Sequence, residues 1–397
     1  MISSLPSDSS LLYALARRRN PRRAGLFVST VLAKHIAVDA RTVLATGRLL
    51  AQRVAATETP VAVESFDSLL DGESANELGR LPLPVLDALV VGFCETAVCL
   101  GATVAMTLGT PYAHSTRYPA ADHHRLLTFT ETHSHAPAHV LTHPDPDILD
   151  STRPVILVDD ELTTGATSLA LIEAIQVKFP RERYVVGALL DWRSPEAAET
   201  FRATSKRIGA SIEVVSLLRG DVSSHVAPEP CSVEDQSVVP SAPLVDVMLL
   251  PDVRRATPWS ATIENTASRD ATIVAEALKG RNVSAVLGVE ECMFLPVLVA
   301  ERLGVTAQST TLSPVVVSTD AGYPIRSAVA FQSPFGSCPS WAYNVPLGQE
   351  IAIITDGGDP ELNRTMAREI SRHTGARVSL VLTAKAARDW NSEQLGR

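Results

Sequence analysis

Four apolar residues, Val155-Ile156-Leu157-Val158, run into two adjacent acids, Asp159 and Asp160, and after two more positions into the hydroxyl-rich loop Thr163-Thr164-Gly165-Ala166-Thr167. The order predicts a buried strand that ends in carboxylates and a loop that opens the next helix. Unpaired backbone N–H groups at a helix start, the positive end of its dipole and threonine hydroxyls converge on one point there. That is the chemistry of a phosphate cradle. Gly165 lets the backbone come close to the anion. The acids cannot share that phosphate, because like charges repel; they suit neighbouring hydroxyl groups or a metal-bound water. A molecule that offers one phosphate and a vicinal diol is a ribose 5-phosphate.

Around this stretch the chain alternates short apolar runs with amphipathic segments. Ala88 to Gly92 precedes Thr96 to Leu108, Val155 to Val158 precedes Thr167 to Phe179, and Tyr184 to Leu190 follows. The second half does the same at Ser284 to Val289, Cys292 to Leu303, Ile351 to Ile354 and Leu362 to His373. Such alternation predicts an α/β fold with largely parallel sheets. From Gly220 to Pro243 periodicity is lost and Pro228, Pro230, Pro240 and Pro243 gather among Ser, Asp and Glu. The expected division is a first domain over 1–219, a linker over 220–243 and a second domain over 244–397. The halves also match each other. Gly92 to Asp160 is 68 positions, Gly288 to Asp356 is 68 again, and each aspartate closes an apolar strand before a helix. Two copies of one fold, the second degenerate, is the inference; chance likeness of generic strand-turn-helix units is the plainer alternative.

The chain has 397 residues, 45% hydrophobic and 20% charged, enough apolar material for two cores. Its 35 basic and 44 acidic residues leave a formal charge of −9, a field that repels nucleic-acid phosphates and argues against such a partner. Cys94, Cys99, Cys231, Cys292 and Cys338 are odd in number and form no C-x-x-C pair, which predicts reduced thiols and a cytoplasmic setting. The longest uncharged stretch, Thr96 to Thr110, is too short to span a membrane. The start lacks the basic-then-apolar order of a secretory signal. Arg17, Arg18, Arg19, Arg22 and Arg23 read as a solvated loop or as contacts to an anionic ligand.

Residue for residue, Val155 to Thr167 resembles the signature with which type I phosphoribosyltransferases bind 5-phosphoribosyl pyrophosphate (PRPP). The wider chain resembles the phosphoribosyltransferases of tellurite-resistance-type operons, in which a TRSP domain follows the transferase domain. The matching pieces are residues 27–36, Glu95-Thr96-Ala97, Ser115-Thr116-Arg117, His133-Ser134-His135-Ala136, Leu190-Asp191-Trp192-Arg193 and Thr311-Leu312-Ser313-Pro314. The resemblance implies a parallel-sheet transferase domain followed by a related, decayed one. It implies that Asp159 and Asp160 are catalytic residues that contact the ribose hydroxyls, and that Thr163, Thr164, Gly165, Ala166 and Thr167 wrap the 5-phosphate. It further implies Mg²⁺, held indirectly through Asp159 and Asp160, a small nucleobase-like heterocyclic acceptor, release of pyrophosphate and, by analogy with relatives, a homodimer. Two positions depart from the pattern. Ala33 stands where glycine is expected, and Leu312 stands in place of the arginine of the TRSP motif, which removes the charge that would bind an anion there.

Against that background Arg117 suits a catalytic clamp on pyrophosphate, since its planar fork pairs two oxygens at once, or a surface ion pair. Lys34 and His35 contact the same leaving group or cap a strand. Asp191, at the end of the strand after the phosphate helix, suits contact with the acceptor or with Mg²⁺. Six of the ten histidines, His123, His124, His133, His135, His139 and His143, crowd into 21 positions. They could hold a transition metal, touch substrate or serve the surface. Their place before the phosphate strand, where type I enzymes carry a loop that closes over the reaction, favours a substrate or lid role for His133, His135 and His139. In the second half, Asp356-Gly357-Gly358-Asp359-Pro360 lacks the hydroxyl loop, and Pro360 removes an N–H donor. PRPP binding of the same kind is not expected there. Glu290 and Glu291, with Ser309, Thr310 and Thr311, form a second small-molecule site or only complete the first. A rival to the enzyme is a PRPP- or nucleotide-sensing protein that kept the cradle and lost catalysis.

Overall fold

The computed structural model describes residues 12–19, 25–64, 77, 82–119, 123–130, 138–220, 242–253 and 263–395. His133 and His135, and all but the ends of the expected linker, lie outside the described residues. The chain opens with β1 (Tyr13–Arg17), β2 (Gly25–Ser29), β3 (Val38–Asp39) and α1 (Ala40–Ala55). Then come β4 (Leu89–Gly92), α2 (Ala97–Leu108), β5 (Tyr112–Thr116), β6 (His124–Thr130) and β7 (Ala138–His143). The first half closes with β8 (Val155–Leu162), α3 (Ala166–Lys178), β9 (Arg183–Asp191), α4 (Pro195–Ile208) and β10 (Ser211–Arg219). The second half holds β11 (Leu244–Leu250), α5 (Ile263–Ala277), β12 (Val283–Gly288), α6 (Phe294–Leu303) and β13 (Thr306–Ser309). It ends with β14 (Ala328–Gln332), β15 (Pro339–Tyr343), β16 (Glu350–Thr355), α7 (Pro360–Thr374), β17 (Arg377–Thr383) and α8 (Ala384–Leu395).

Contacts divide the chain into two compact units, one on Leu44–Ser224 and the other on Ser10–Val43, His225–Ala256 and Asn265–Arg397. In the first, a seven-stranded sheet has the order β10-β9-β8-β4-β5-β7-β6, parallel from β10 to β5 and antiparallel at β7 and β6. In the second, a six-stranded sheet has the order β11-β17-β16-β12-β13-β3, parallel except at β3. The division expected at 219/220 puts residues 10–43 with the transferase half, whereas by contact they group with the second unit. The reason is pairing remote in sequence: β3 joins β13, Arg18 bridges Val315, and Ala16, Leu26 and Val28 pack with Val315, Ile325 and Tyr343.

The duplication is visible in the register. Gly92 of β4 stands opposite Val158 of β8, and Gly288 of β12 opposite Ile354 of β16. Asp160 and Asp356 are each two residues beyond those partners. The next amide repeats the match, Phe93 N–H donating to the Val158 carbonyl at 3.0 Å and Val289 N–H to that of Ile354 at 3.2 Å. One residue further, Cys94 N–H donates to Ser115 Oγ and Glu290 N–H to Thr310 Oγ1, both at 3.0 Å. Glycine is required at both strand ends, because a Cβ would lie 2.8 Å from the Ala97 carbonyl at Gly92 and 2.1 Å from that of Cys292 at Gly288.

Burial explains why the apolar runs were readable. Val155 to Val158 are all buried, as are Ile351 to Ile354, the pattern of parallel strands covered on both faces. The helix α2 is built of small and aliphatic residues and is buried almost all round. Among the described residues no helix is long and apolar enough to cross a membrane.

Candidate functional site

The strand order creates a crevice before any side chain is considered. From β4 the chain goes through α2 to β5 on one side, and from β8 through α3 to β9 on the other. Neighbouring strands whose connections part in this way leave a gap at their carboxyl ends, where ligands of open α/β sheets bind. Pairing of β8 with β4 stops at Val158, yet β8 continues beside β9 as far as Leu162, opposite Asp191. The acids Asp159 and Asp160 therefore lie within the strand and not beyond it. Both are half-buried. Asp159 Oδ1 accepts the N–H of Asp160 at 2.9 Å.

The cradle follows. Thr163 and Thr164 are exposed, Thr167 is half-buried and α3 starts at Ala166, so the first-turn amides of a three-turn helix open beside the acids. Thr164 Oγ1 accepts the Ala166 N–H at 3.3 Å. Gly165 has φ of 69°, and a Cβ there would lie 2.4 Å from Cζ of Phe201. Glycine is thus demanded twice, by conformation and by space.

Beneath the loop sits an ion pair. Arg193 donates from Nε to Asp191 Oδ1 and from Nη2 to Oδ2, both at 2.8 Å, and both residues are buried. The guanidinium lies 4.5 Å from the Phe201 ring centre, and its Cδ would be 3.6 Å from a Cβ at position 165. Both Asp191 oxygens, expected to face acceptor or Mg²⁺, are in hydrogen bonds to Arg193.

Arg117 follows β5 directly and is half-buried. With β4 between them, β5 and β8 are about 10 Å apart. Lys34, expected beside Arg117, belongs to the segment that groups with the second unit. In that segment Ala33 has φ of 56°, the left-handed conformation that explains the glycine expected there. His139 is buried on β7, with Nδ1 3.3 Å from Cys94 Sγ and its ring 5.5 Å from that of Phe129. Among the described residues no group of three or more His, Cys, Asp or Glu could hold a metal unaided.

A phosphoribosyl transferase family model matches residues 12–221, more than half of the chain. The chain belongs to the phosphoribosyl transferase family. The model of the TRSP domain that lies C-terminal to this transferase matches residues 256–366. No curated protein matches. Among solved structures the chain is similar to the adenine phosphoribosyltransferase of Giardia lamblia complexed with 9-deazaadenine, at 17% identity and a TM-score of 0.33 over 54% of this chain and 97% of that one. It is also similar to the enzyme of Trypanosoma brucei in complex with AMP, pyrophosphate and ribose-5-phosphate, at 15% identity and a TM-score of 0.34 over 54% and 82%. The enzyme of Thermoanaerobacter pseudethanolicus gives 17% identity and 0.31 over 53% and 97%.

In the TRSP half of this phosphoribosyl transferase the equivalent cradle is filled by the chain itself. Asp359 caps α7, its Oδ1 accepting the Leu362 N–H at 2.9 Å, Asn363 Nδ2 donates to the Gly357 carbonyl at 3.0 Å, and Pro360 occupies the first helical turn. Glu290, Glu291, Ser309, Thr310 and Thr311 are all buried. Two features of the transferase half escaped sequence reasoning. Arg193 carried a signal, an arginine two positions after a strand-end aspartate. The Cys94–His139 pair carried none, because 45 residues separate its members.

Proposed function

We propose that the first unit transfers the 5-phosphoribosyl group of PRPP to a ring nitrogen of a small heterocycle and releases pyrophosphate. The observation that carries this reading is the β4/β8 crevice, where a hydroxyl and amide cradle opens beside two half-buried acids. Thr163, Thr164, Gly165, Ala166 and Thr167 hold the 5-phosphate. Asp159 and Asp160 accept hydrogen bonds from the ribose hydroxyls. Arg117 pairs with the leaving pyrophosphate. The C1–O bond to pyrophosphate breaks, a C1–N bond forms, and the nitrogen's proton passes to solvent. The transition state resembles an oxocarbenium ion, so the protein's contribution is positioning and electrostatic stabilisation.

Two carboxylates beside a phosphate cradle fit Mg²⁺, which takes one or two protein carboxylates and completes its shell with water and substrate oxygens. Held through Asp159 and Asp160, the ion would disperse charge on the leaving group. Pyrophosphate release from PRPP, followed over a panel of purine-like, orotate-like and other heterocycles with Mg²⁺ present, tests the reading. Turnover on one acceptor, abolished by Asp159→Asn with Asp160→Asn, supports it. Unchanged turnover in that double variant overturns the site. PRPP binding without turnover on any acceptor points instead to a sensing protein.

A further inference from the structure

We infer that Cys94 and His139 form an activated thiol–imidazole pair, a modification site at which peroxides and other soft electrophiles react ahead of the remaining described cysteines. Cys94 Sγ lies 3.3 Å from His139 Nδ1, hydrogen-bonding distance for a thiol donor. The pair is pre-organised from both sides. Cys94 is held by its N–H to Ser115 Oγ at 3.0 Å, and the same hydroxyl oxygen lies 3.5 Å from His139 Nδ1. His139 is fixed on β7 with its ring against Phe129. His139 is buried while Cys94 is half-buried, so the cysteine is the more reachable partner. With the ring proton on Nε2, Nδ1 is placed to accept the thiol proton, the arrangement that makes cysteines nucleophilic.

The second unit repeats the backbone setting of this position. Glu290, the register equivalent of Cys94, is likewise anchored through its N–H to a hydroxyl, Thr310 just beyond β13 in place of Ser115 within β5. The other described cysteines differ in exposure. Cys99 is buried, and burial pushes its thiol up to about 12. Cys292 is buried as well, and Cys338 is exposed.

With a hydroperoxide the step balances. The thiolate attacks one peroxide oxygen, an S–O bond forms and the O–O bond breaks. The departing oxygen takes the proton from the imidazolium, sulfur is oxidised by two electrons to the sulfenic acid, and hydrogen peroxide is reduced to water.

The test uses the reduced full-length chain without PRPP, so its outcome is independent of the transferase reading. Iodoacetamide labelling at neutral pH, followed residue by residue by peptide mass spectrometry, is expected to modify Cys94 at least about tenfold faster than Cys338. Hydrogen peroxide followed by a sulfenic-acid trap is expected to mark Cys94 first. His139→Asn is expected to bring the Cys94 rate down to that of Cys338 while leaving the Cys338 rate unchanged. Labelling of Cys94 no faster than Cys338 in the unsubstituted chain overturns the inference, whatever the variant does. So does a His139→Asn rate equal to the unsubstituted one.

Discussion

Asp191 and Arg193 meet through two parallel hydrogen bonds of 2.8 Å, and the guanidinium so held lies against Phe201, beside Gly165 of the threonine loop. The pair belongs to the support of the loop and not to its surface. Arg193→Met keeps the side chain's bulk but leaves the buried Asp191 carboxylate with the backbone N–H of residue 193 at 3.1 Å and the exposed Arg219 at 3.9 Å. Removing one partner of a buried ion pair is strongly destabilising, about 3 kcal/mol or more. Urea unfolding is expected to show that loss, with Arg193→Lys intermediate because it keeps the charge and loses the fork. An unmoved midpoint in Arg193→Met rules out the supporting role.

Gly165→Ala meets both obstacles at once, a φ of 69° and the Phe201 ring 2.4 Å from the new Cβ. The left-handed conformation alone is worth about 1–2 kcal/mol for a residue with a side chain. PRPP binding measured by calorimetry is expected to weaken by about tenfold or more. Adding Phe201→Leu removes the overlap but not the conformational strain, so the double variant is expected to recover part of the loss. Full recovery would mean that the backbone conformation contributes nothing.

The elements around this site were readable because they are local. Val155 to Val158 and Ile351 to Ile354 are unbroken apolar runs, and they sit as interior strands of two largely parallel sheets. The spacing of 68 between Gly92 and Asp160, repeated from Gly288 to Asp356, reappears as identical strand register. Ala33 in a glycine's place was also readable, and its left-handed backbone is the physical reason. Contacts between distant segments were not readable. Residues 13–39 carry no local sign that they pair with Thr306 and Val315, nor does His139 carry one that it meets Cys94. The two acids were expected to end their strand, and β9 extends it past them by pairing as far as Asp191.

Asp359 tests the second cradle. Its carboxylate caps α7 by accepting the Leu362 N–H, and Asp359→Ala is expected to lower stability by about 1 kcal/mol, the usual worth of an N-cap. Thermal unfolding reads that shift. The variant is not expected to acquire phosphate affinity, because Pro360 still lacks the N–H and no threonine loop replaces the cap. Phosphate-dependent stabilisation of Asp359→Ala would show that the cap alone had closed an otherwise competent site.

His35 sets an acid limit on the second unit. It is buried, Nε2 has no hydrogen-bond partner among the described residues, and its pKa lies well below the usual imidazole value. Burial is the largest cause, followed by the positive charges of Lys34 and Arg18. The folded chain therefore keeps His35 neutral at pH values where the unfolded chain protonates it. Below the ordinary pKa, near 6.5, the unfolded state binds the extra proton, so stability falls as pH drops and levels off only below the folded-state value. A single proton gives a slope of up to about 1.4 kcal/mol per pH unit. Denaturant unfolding from pH 7.5 to 5 is expected to show a steeper acid loss in the natural chain than in His35→Gln, whose amide has no such proton to gain. Parallel curves for the two would mean that His35 is solvated and titrates normally in the folded protein.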